Sequence, residues 1–132
     1  MTVDPNFDIG PRKLRKVADF GVTYSPIPIP DADGIEDANV VCSDTIGPKK
    51  NEQYPVIDLD VPVRYVPSTT EGHGHLYIDH PIKWGAYKKL LHALKEAGLV
   101  EEGYVKACIS HGYTIVRLPW IKKEPALEGA PL

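Results

Sequence analysis

Prolines limit the length of every regular element in the first part of this chain. The sequence has 13 prolines in 132 residues, and six of them precede residue 54: Pro5, Pro11, Pro26, Pro28, Pro30 and Pro48. Proline lacks a backbone N–H and clashes with the preceding helical turn, so this spacing excludes a long helix. We expect residues 1–53 to form an extended, proline-rich arm that is either flexible or lies along a partner or its own domain.

Short elements are still expected within this arm. Residues Ser25–Pro30, with the sequence SPIPIP, favour polyproline II, an extended form without internal hydrogen bonds. The spacing allows two helical turns over Leu14–Phe20, and Asp31–Asp37 is expected to be an acidic loop. The β-branched pair at the start of Val40–Cys42 predicts an edge strand.

Length and charge exclude several classes of protein. A chain of 132 residues is expected to form one domain with a real core. The net charge of −3 excludes a general nucleic-acid coat, which needs many cations to displace counterions, so nucleic acid is not a favoured partner. No segment is apolar for long enough to cross a membrane, and Cys42 and Cys108 form no C-x-x-C pair. These features predict a reduced, cytoplasmic protein without membrane partners.

A helix over residues 80–98 is the clearest element in the sequence. Apolar side chains recur at helical spacing and form one face: Trp84, Tyr87, Leu90, Leu91, Leu94 and Ala97. Lys88, His92 and Lys95 lie on the other side, in a segment (83–123) with 8 Lys and Arg against 3 Asp and Glu. This basic face is either a binding surface for an acidic partner or a solvated helix face.

The remaining segments predict an α+β fold. Strands are expected at Tyr54–Val61, Val63–Val66, Gly74–Asp79 and Tyr113–Leu118, with a second helix at Glu101–Ser110. We expect a β–β–α–α–β domain over residues 54–121, in which two helices cover one face of a sheet of about three strands. Residues 122–132 are expected to be a disordered tail.

The stretch from Val56 to Asp79 carries most of the potentially reactive side chains. Asp58 and Asp60 are an i, i+2 pair of oxygen ligands that suits Mg²⁺ or Mn²⁺. His73 and His75 have the same spacing and suit a transition metal such as Zn²⁺. If the strands share one sheet, their apolar faces point to one core and these four residues converge on the opposite face. The alternatives are an acidic, solvated strand face and a polar turn.

Hydroxyl side chains follow the second of these strands. Ser68, Thr69 and Thr70 precede Gly72 and could offer hydroxyl and backbone N–H groups to a phosphate. The alternative is an ordinary turn, since these residue types also bond to their own backbone.

Two parts of this stretch resemble a known family. VIDLDV at Val56–Val61, followed by TEGHGHLYI at Thr70–Ile78, resembles the first two motifs of primase-polymerase domains of the archaeo-eukaryotic primase type. The resemblance implies that Asp58 and Asp60 bind metal and that His75 contacts a nucleotide phosphate. Leu91–Glu101 also resembles the end of the recognition helix in winged-helix domains. In general character the sequence is similar to small proteins of actinobacteria and their phages, which implies no activity.

Two functions follow from these features. The first is a small, non-catalytic accessory protein, of phage origin, that joins a larger protein assembly through its arm and its basic helix face. The alternative is a metal- and nucleotide-binding domain related to primase-like folds, built on Asp58, Asp60 and His75.

Overall fold

The computed structural model describes residues 2–18, 20, 28–46 and 51–122. The chain divides into two compact units, Met1–Asp58 and Leu59–Leu132. The described elements are four strands and two helices, so the α+β class is confirmed. The strands form two separate two-stranded antiparallel sheets, and the expected three-stranded sheet is not confirmed.

The first unit is built on a pair of strands that are distant in sequence. Strand β1, Arg12–Arg15, pairs antiparallel with β2, Val40–Thr45, with Leu14 opposite Val41. On the other side of β1, the amide of Ala32 donates to the carbonyl of Leu14 at 3.0 Å. The edge strand predicted at Val40–Cys42 is thus confirmed and is longer than expected.

Helical turns over Leu14–Phe20 were the wrong prediction for this segment. Long-range backbone partners on both sides of β1 override the weak local preference of Lys, Arg and Leu for a helix. Side chains add to the pairing: Asn39 Oδ1 accepts from the amide of Val17 at 2.7 Å, and Asn39 Nδ2 donates to the Val17 carbonyl at 2.8 Å. Val17 is 5% exposed.

The extended, proline-rich arm is accordingly not confirmed as such. Arg12 helps to close the first unit, because its Nε donates to the carbonyl of Tyr54 at 2.8 Å and its Nη2 to that of Pro55 at 2.7 Å. The polyproline II prediction falls largely outside the described residues, and so does the tail prediction beyond residue 122. Residues Asp31–Asp37 form turns and bends, as expected for a loop, apart from one isolated β-bridge between Asp31 and Arg15.

The second unit begins with a hairpin. Strands β3, Val63–Pro67, and β4, Gly74–Ile78, pair antiparallel in an unbroken register from Val63 opposite Ile78 to Pro67 opposite Gly74. Both strands were predicted from the sequence. The strand predicted at Tyr54–Val61 is not formed. Pro55 removes one backbone donor from this segment and Pro62 follows its last residue, and the carbonyls of Tyr54 and Pro55 accept from Arg12 instead.

Two helices supply the core of the second unit. Helix α1 spans Trp84–Glu96 and helix α2 spans Glu102–His111. Gly112 ends α2 in the left-handed conformation, with φ of 85°. In this unit the buried side chains that the structure describes are Leu91, Val105 and Cys108, all of them on the helices. Among the described elements the helices pack on each other and not on a strand, so the expected cover over one sheet face is not confirmed.

The last predicted strand, Tyr113–Leu118, has no backbone ladder. Side chains from the helices hold this segment instead. The hydroxyl groups of Tyr87 and Thr114 lie 2.7 Å apart, and the Tyr104 hydroxyl donates to the carbonyl of Ile115 at 2.9 Å. The segment whose β-branched composition predicted a strand is therefore held by hydrogen bonds from helix side chains and not by a neighbouring strand.

Candidate functional site

The hairpin has two faces of opposite character. Residues that are paired directly across an antiparallel ladder lie on the same face. The register thus places four apolar side chains together, and we call this surface the apolar face: Val63, Tyr65, Leu76 and Ile78. Their exposed fractions are 37%, 61%, 58% and 38%, respectively. This face carries no charged side chain.

The opposite side of the hairpin, the polar face, is formed by Arg64, Val66, His75 and Tyr77. Arg64 makes a forked ion pair with Asp79, with distances of 2.9 Å from Nε to Oδ2 and 3.1 Å from Nη2 to Oδ1. Its guanidinium also lies 4.8 Å from the centre of the Tyr77 ring. Hydrogen bonds from Arg64 lower the pKa of Asp79, and the same bonds raise the pKa of Arg64.

Burial of these two faces is the reverse of the sequence-based prediction. We expected Leu76 and Ile78 to point into a core, but they are exposed, whereas Val66, His75 and Tyr77 on the polar face are half-buried. The physical reason is that the core of the unit lies between the helices, so alternation alone cannot say which side of a hairpin is covered.

The predicted phosphate loop is a compact turn between β3 and β4. The amide of Ser68 donates to the carbonyl of His73 at 3.0 Å, and the amide of His73 donates to the carbonyl of Thr70 at 3.1 Å. Ser68 Oγ accepts from the amide of Thr70 at 3.1 Å and lies 3.3 Å from the Thr70 carbonyl. The Ser68 hydroxyl thus acts within the turn.

Arg117 is the residue that sequence reasoning missed at this loop. Its Nη1 donates to Thr69 Oγ1 at 3.3 Å, although the two residues are 48 positions apart. The same nitrogen donates to the carbonyl of Ile121 at 2.8 Å. No sequence spacing connects Arg117 to the loop; only its position in a predicted strand, next to polar turns, could have drawn attention to it.

The four predicted metal ligands are distributed differently from the expectation. Asp58 is the last residue of the first unit and Asp60 lies in the second, and neither is on a strand. His73 is exposed in the turn, and His75 is half-buried on the polar face. Among the described residues, no group of three or more His, Cys, Asp or Glu side chains could hold a metal ion. Binding of Mg²⁺, Mn²⁺ or Zn²⁺ at these residues stays a prediction.

The basic face of α1 is partly covered. Lys88 and Lys95 are half-buried beside the apolar stripe, and His92 is exposed. The Lys95 ammonium lies 3.5 Å from Glu96 Oε1, which offsets part of its charge. Partner binding by these three residues stays a prediction.

Comparisons with known proteins return no match: no family model, no curated protein and no solved structure matches this chain. The resemblance to primase-polymerase motifs therefore stays a prediction. In the part of the chain that the structure describes, no helix has the length and apolar character needed to cross a membrane.

Proposed function

We propose that this protein is a small, non-catalytic accessory protein that binds a protein partner through the apolar face of the β3–β4 hairpin. The observation that carries the proposal is the exposure of Val63, Tyr65, Leu76 and Ile78 as one contiguous, uncharged surface. The non-catalytic part is supported by the positions of the four candidate ligands: Asp58 and Asp60 lie outside the strands, His73 lies in the turn, and of the four His75 alone lies on a strand.

The stability of the hairpin gives a physical argument for a partner. An isolated two-stranded hairpin is at best marginally stable in water and needs a third strand or a packed face. None of the buried side chains of the described residues lies on β3 or β4. A partner that covers the apolar face would supply the missing support and would bury these side chains.

The lack of charge on the apolar face indicates the kind of partner surface that it can bind. A surface without charges offers neither repulsion nor attraction to ions, so its partner is expected to present apolar side chains there. Arg64 and Asp79 pair with each other on the opposite side, so neither presents an unpaired charge to the partner.

Site-specific photo-crosslinking tests the proposal directly. A photoreactive phenylalanine analogue replaces Tyr65, and in a matched chain it replaces Leu99, which is 63% exposed in the same unit but lies outside the hairpin. Irradiation in the source cell is expected to give adducts with another protein from position 65 and not from position 99. Adducts from position 65 that join only this chain to itself, or to a second copy, would contradict the proposal.

A paired substitution provides the second measurement. Tyr65→Ser with Leu76→Ser is expected to abolish the adducts formed from a photoreactive residue at Val63, whereas Leu99→Ser leaves them intact. Far-ultraviolet circular dichroism of each variant shows whether the helices remain folded. Undiminished crosslinking in the paired variant would mean that the apolar face does not carry the interaction.

A further inference from the structure

The segment from Val56 to Val61 has the composition of a strand but does not form one. Its sequence, VIDLDV, alternates aliphatic side chains with two aspartates over its last five residues. Val56 is 48% exposed, Ile57 71% and Leu59 51%. Segments that only connect folded parts of a chain are usually rich in Gly, Pro, Asn, Asp and Ser. A connecting role alone therefore does not account for aliphatic side chains that face solvent here.

The backbone of this segment is without partners. Within the described residues, none of the amides or carbonyls of residues 56–61 takes part in a hydrogen bond. Their flanks are engaged, because the Pro55 carbonyl accepts from Arg12 and the Pro62 carbonyl accepts from the amide of Asp79. No proline lies between these two flanks, so every residue of the segment keeps both a backbone donor and a backbone acceptor.

We propose that residues 56–61 bind by adding themselves as a strand to the open edge of a β-sheet in a partner protein. In a strand, Ile57 and Leu59 lie on one side of the enlarged sheet. Asp58 and Asp60 lie on the other side. The edge that receives the segment is thus expected to carry apolar side chains on one face and Lys or Arg side chains on the opposite face.

The two aspartates favour a basic partner over a second copy of this chain. Asp58 and Asp60 are exposed and have neither an ion pair nor a hydrogen bond within the described residues. Two copies of the segment paired with each other would bring like charges together on neighbouring strands, whereas a basic edge attracts them. The inference is independent of partner binding by the hairpin, because none of these residues belongs to the apolar face.

Nuclear magnetic resonance titration of the full chain tests strand addition with a synthetic probe. The probe is a backbone-cyclised β-hairpin peptide with valines on one face and lysines on the other, and EDTA is present to exclude metal bridging. We expect saturable shifts of the amides of residues 56–61. Hydrogen exchange is expected to slow at every second amide, because alternate residues of an added strand bond to its neighbour. Absence of saturation, or protection without alternation, would overturn the inference. Shifts that follow the concentration of the chain alone would assign the segment to a second copy and overturn it too.

Matched probes separate the backbone ladder from simple charge. N-methylation of the outward-facing amides of the hairpin peptide keeps its side chains and its charge but removes the donors of its edge. This probe is expected to bind at least about tenfold more weakly. A probe with glutamate in place of lysine is expected to bind less tightly as well, because it repels the aspartates. Equal affinity of the N-methylated probe would refute strand addition.

Variants of the chain provide the complementary test. Leu59→Pro removes a backbone donor that the fold does not use and is expected to abolish binding. Asp58→Asn with Asp60→Asn is expected to weaken binding about fivefold. The matched control, Asp33→Asn with Glu71→Gln, removes two exposed carboxylates outside the segment and is expected to leave the affinity unchanged. Wild-type affinity in Leu59→Pro, or an equal loss in the two paired variants, would refute the proposal.

Discussion

The ring of Tyr65 lies directly over Gly74 across the β3–β4 hairpin. A Cβ atom placed on residue 74 would overlap with the Tyr65 ring, with Cε1 only 2.7 Å away. The two residues are diagonal neighbours, because Tyr65 is paired with Leu76 and Gly74 with Pro67. An aromatic ring that covers a strand glycine compensates for the missing side chain and shields its backbone from water.

This relationship makes the effect of a Gly74 substitution depend on Tyr65. Gly74→Ala is expected to destabilise the hairpin by about 1 kcal/mol, since the ring must leave its position. In a Tyr65→Ala background the same change is expected to stabilise it by about 0.5 kcal/mol, because alanine loses less backbone entropy than glycine in a strand. Amide hydrogen exchange of the hairpin measures both. The same sign in both backgrounds would show that the ring does not occupy this place.

Two glycines of the second unit are expected to respond to alanine in opposite directions. Gly112 has φ of 85°, so Gly112→Ala is expected to destabilise the unit by about 1 kcal/mol. Gly103 lies in α2 with open space around it, and Gly103→Ala is expected to stabilise it by about 0.5 kcal/mol. Urea unfolding followed by tryptophan fluorescence reports this unit, because Trp84 and Trp120 both belong to it. An unchanged or increased stability of Gly112→Ala would contradict the left-handed end of α2, and destabilisation by Gly103→Ala would contradict the open space around Gly103.

In the first unit, acid is expected to weaken the strand pair through Asp44. Both Asp44 oxygens accept from Arg15, at 2.7 Å and 2.6 Å, and these bonds lower the pKa of Asp44 below its ordinary value of about 3.9. A carboxylate with a lowered pKa in the folded state contributes stability above the unfolded pKa. That contribution is lost as the pH falls through the folded pKa.

Asp44→Asn is therefore expected to accelerate amide exchange in β1 and β2 at neutral pH. The variant is also expected to lose less of its strand-pair stability than the wild type when the pH is lowered. Asp31 is a matched control, because it accepts one hydrogen bond from Arg15 Nε at 3.1 Å, lies 3.9 Å from Lys13 Nζ, and has a side chain that is 66% exposed. We expect a smaller effect from Asp31→Asn. Equal effects of the two substitutions would show that the forked pair has no special role.

Alkaline pH is expected to weaken the second unit through Tyr104. Burial raises the pKa of the Tyr104 hydroxyl, and contact with Cys108 adds to the rise. A raised folded-state pKa keeps the stability intact below the unfolded pKa of about 10, and the stability falls as the pH rises beyond it. Tyr104→Phe removes this dependence and also the bond to the Ile115 carbonyl, at a cost of about 1 kcal/mol. An unchanged alkaline slope in unfolding experiments on this variant would contradict the burial of this hydroxyl.

Local patterns predicted the elements whose stabilising interactions are close in sequence. The spacing of Trp84, Leu91 and Leu94 predicted α1, and the helix predicted at Glu101–Ser110 agrees closely with α2. The turn between Pro67 and Gly74 brings β3 and β4 together with few intervening residues, so the hairpin was also predictable.

Elements that depend on distant partners were not predictable in the same way. Leu14 carries no local sign that its backbone pairs with Val41, and a helix was expected there. The segment from Tyr113 to Leu118 has strand composition, but hydroxyl groups from α1 and α2 take the place of a neighbouring strand. The composition of a segment indicates whether it can form a strand, but it does not indicate which element lies beside it in the folded protein.

The sequence by itself determined the α+β class, the hairpin, both helices and the polar turn between β3 and β4. These features depend on interactions between residues that are close along the chain. Tertiary structure decided that Arg117 meets Thr69, and that Tyr65 and Leu76 face solvent while His75 and Tyr77 are half-buried. Alternation separates the two faces of a strand, but only the packing of the other elements selects the face that is covered.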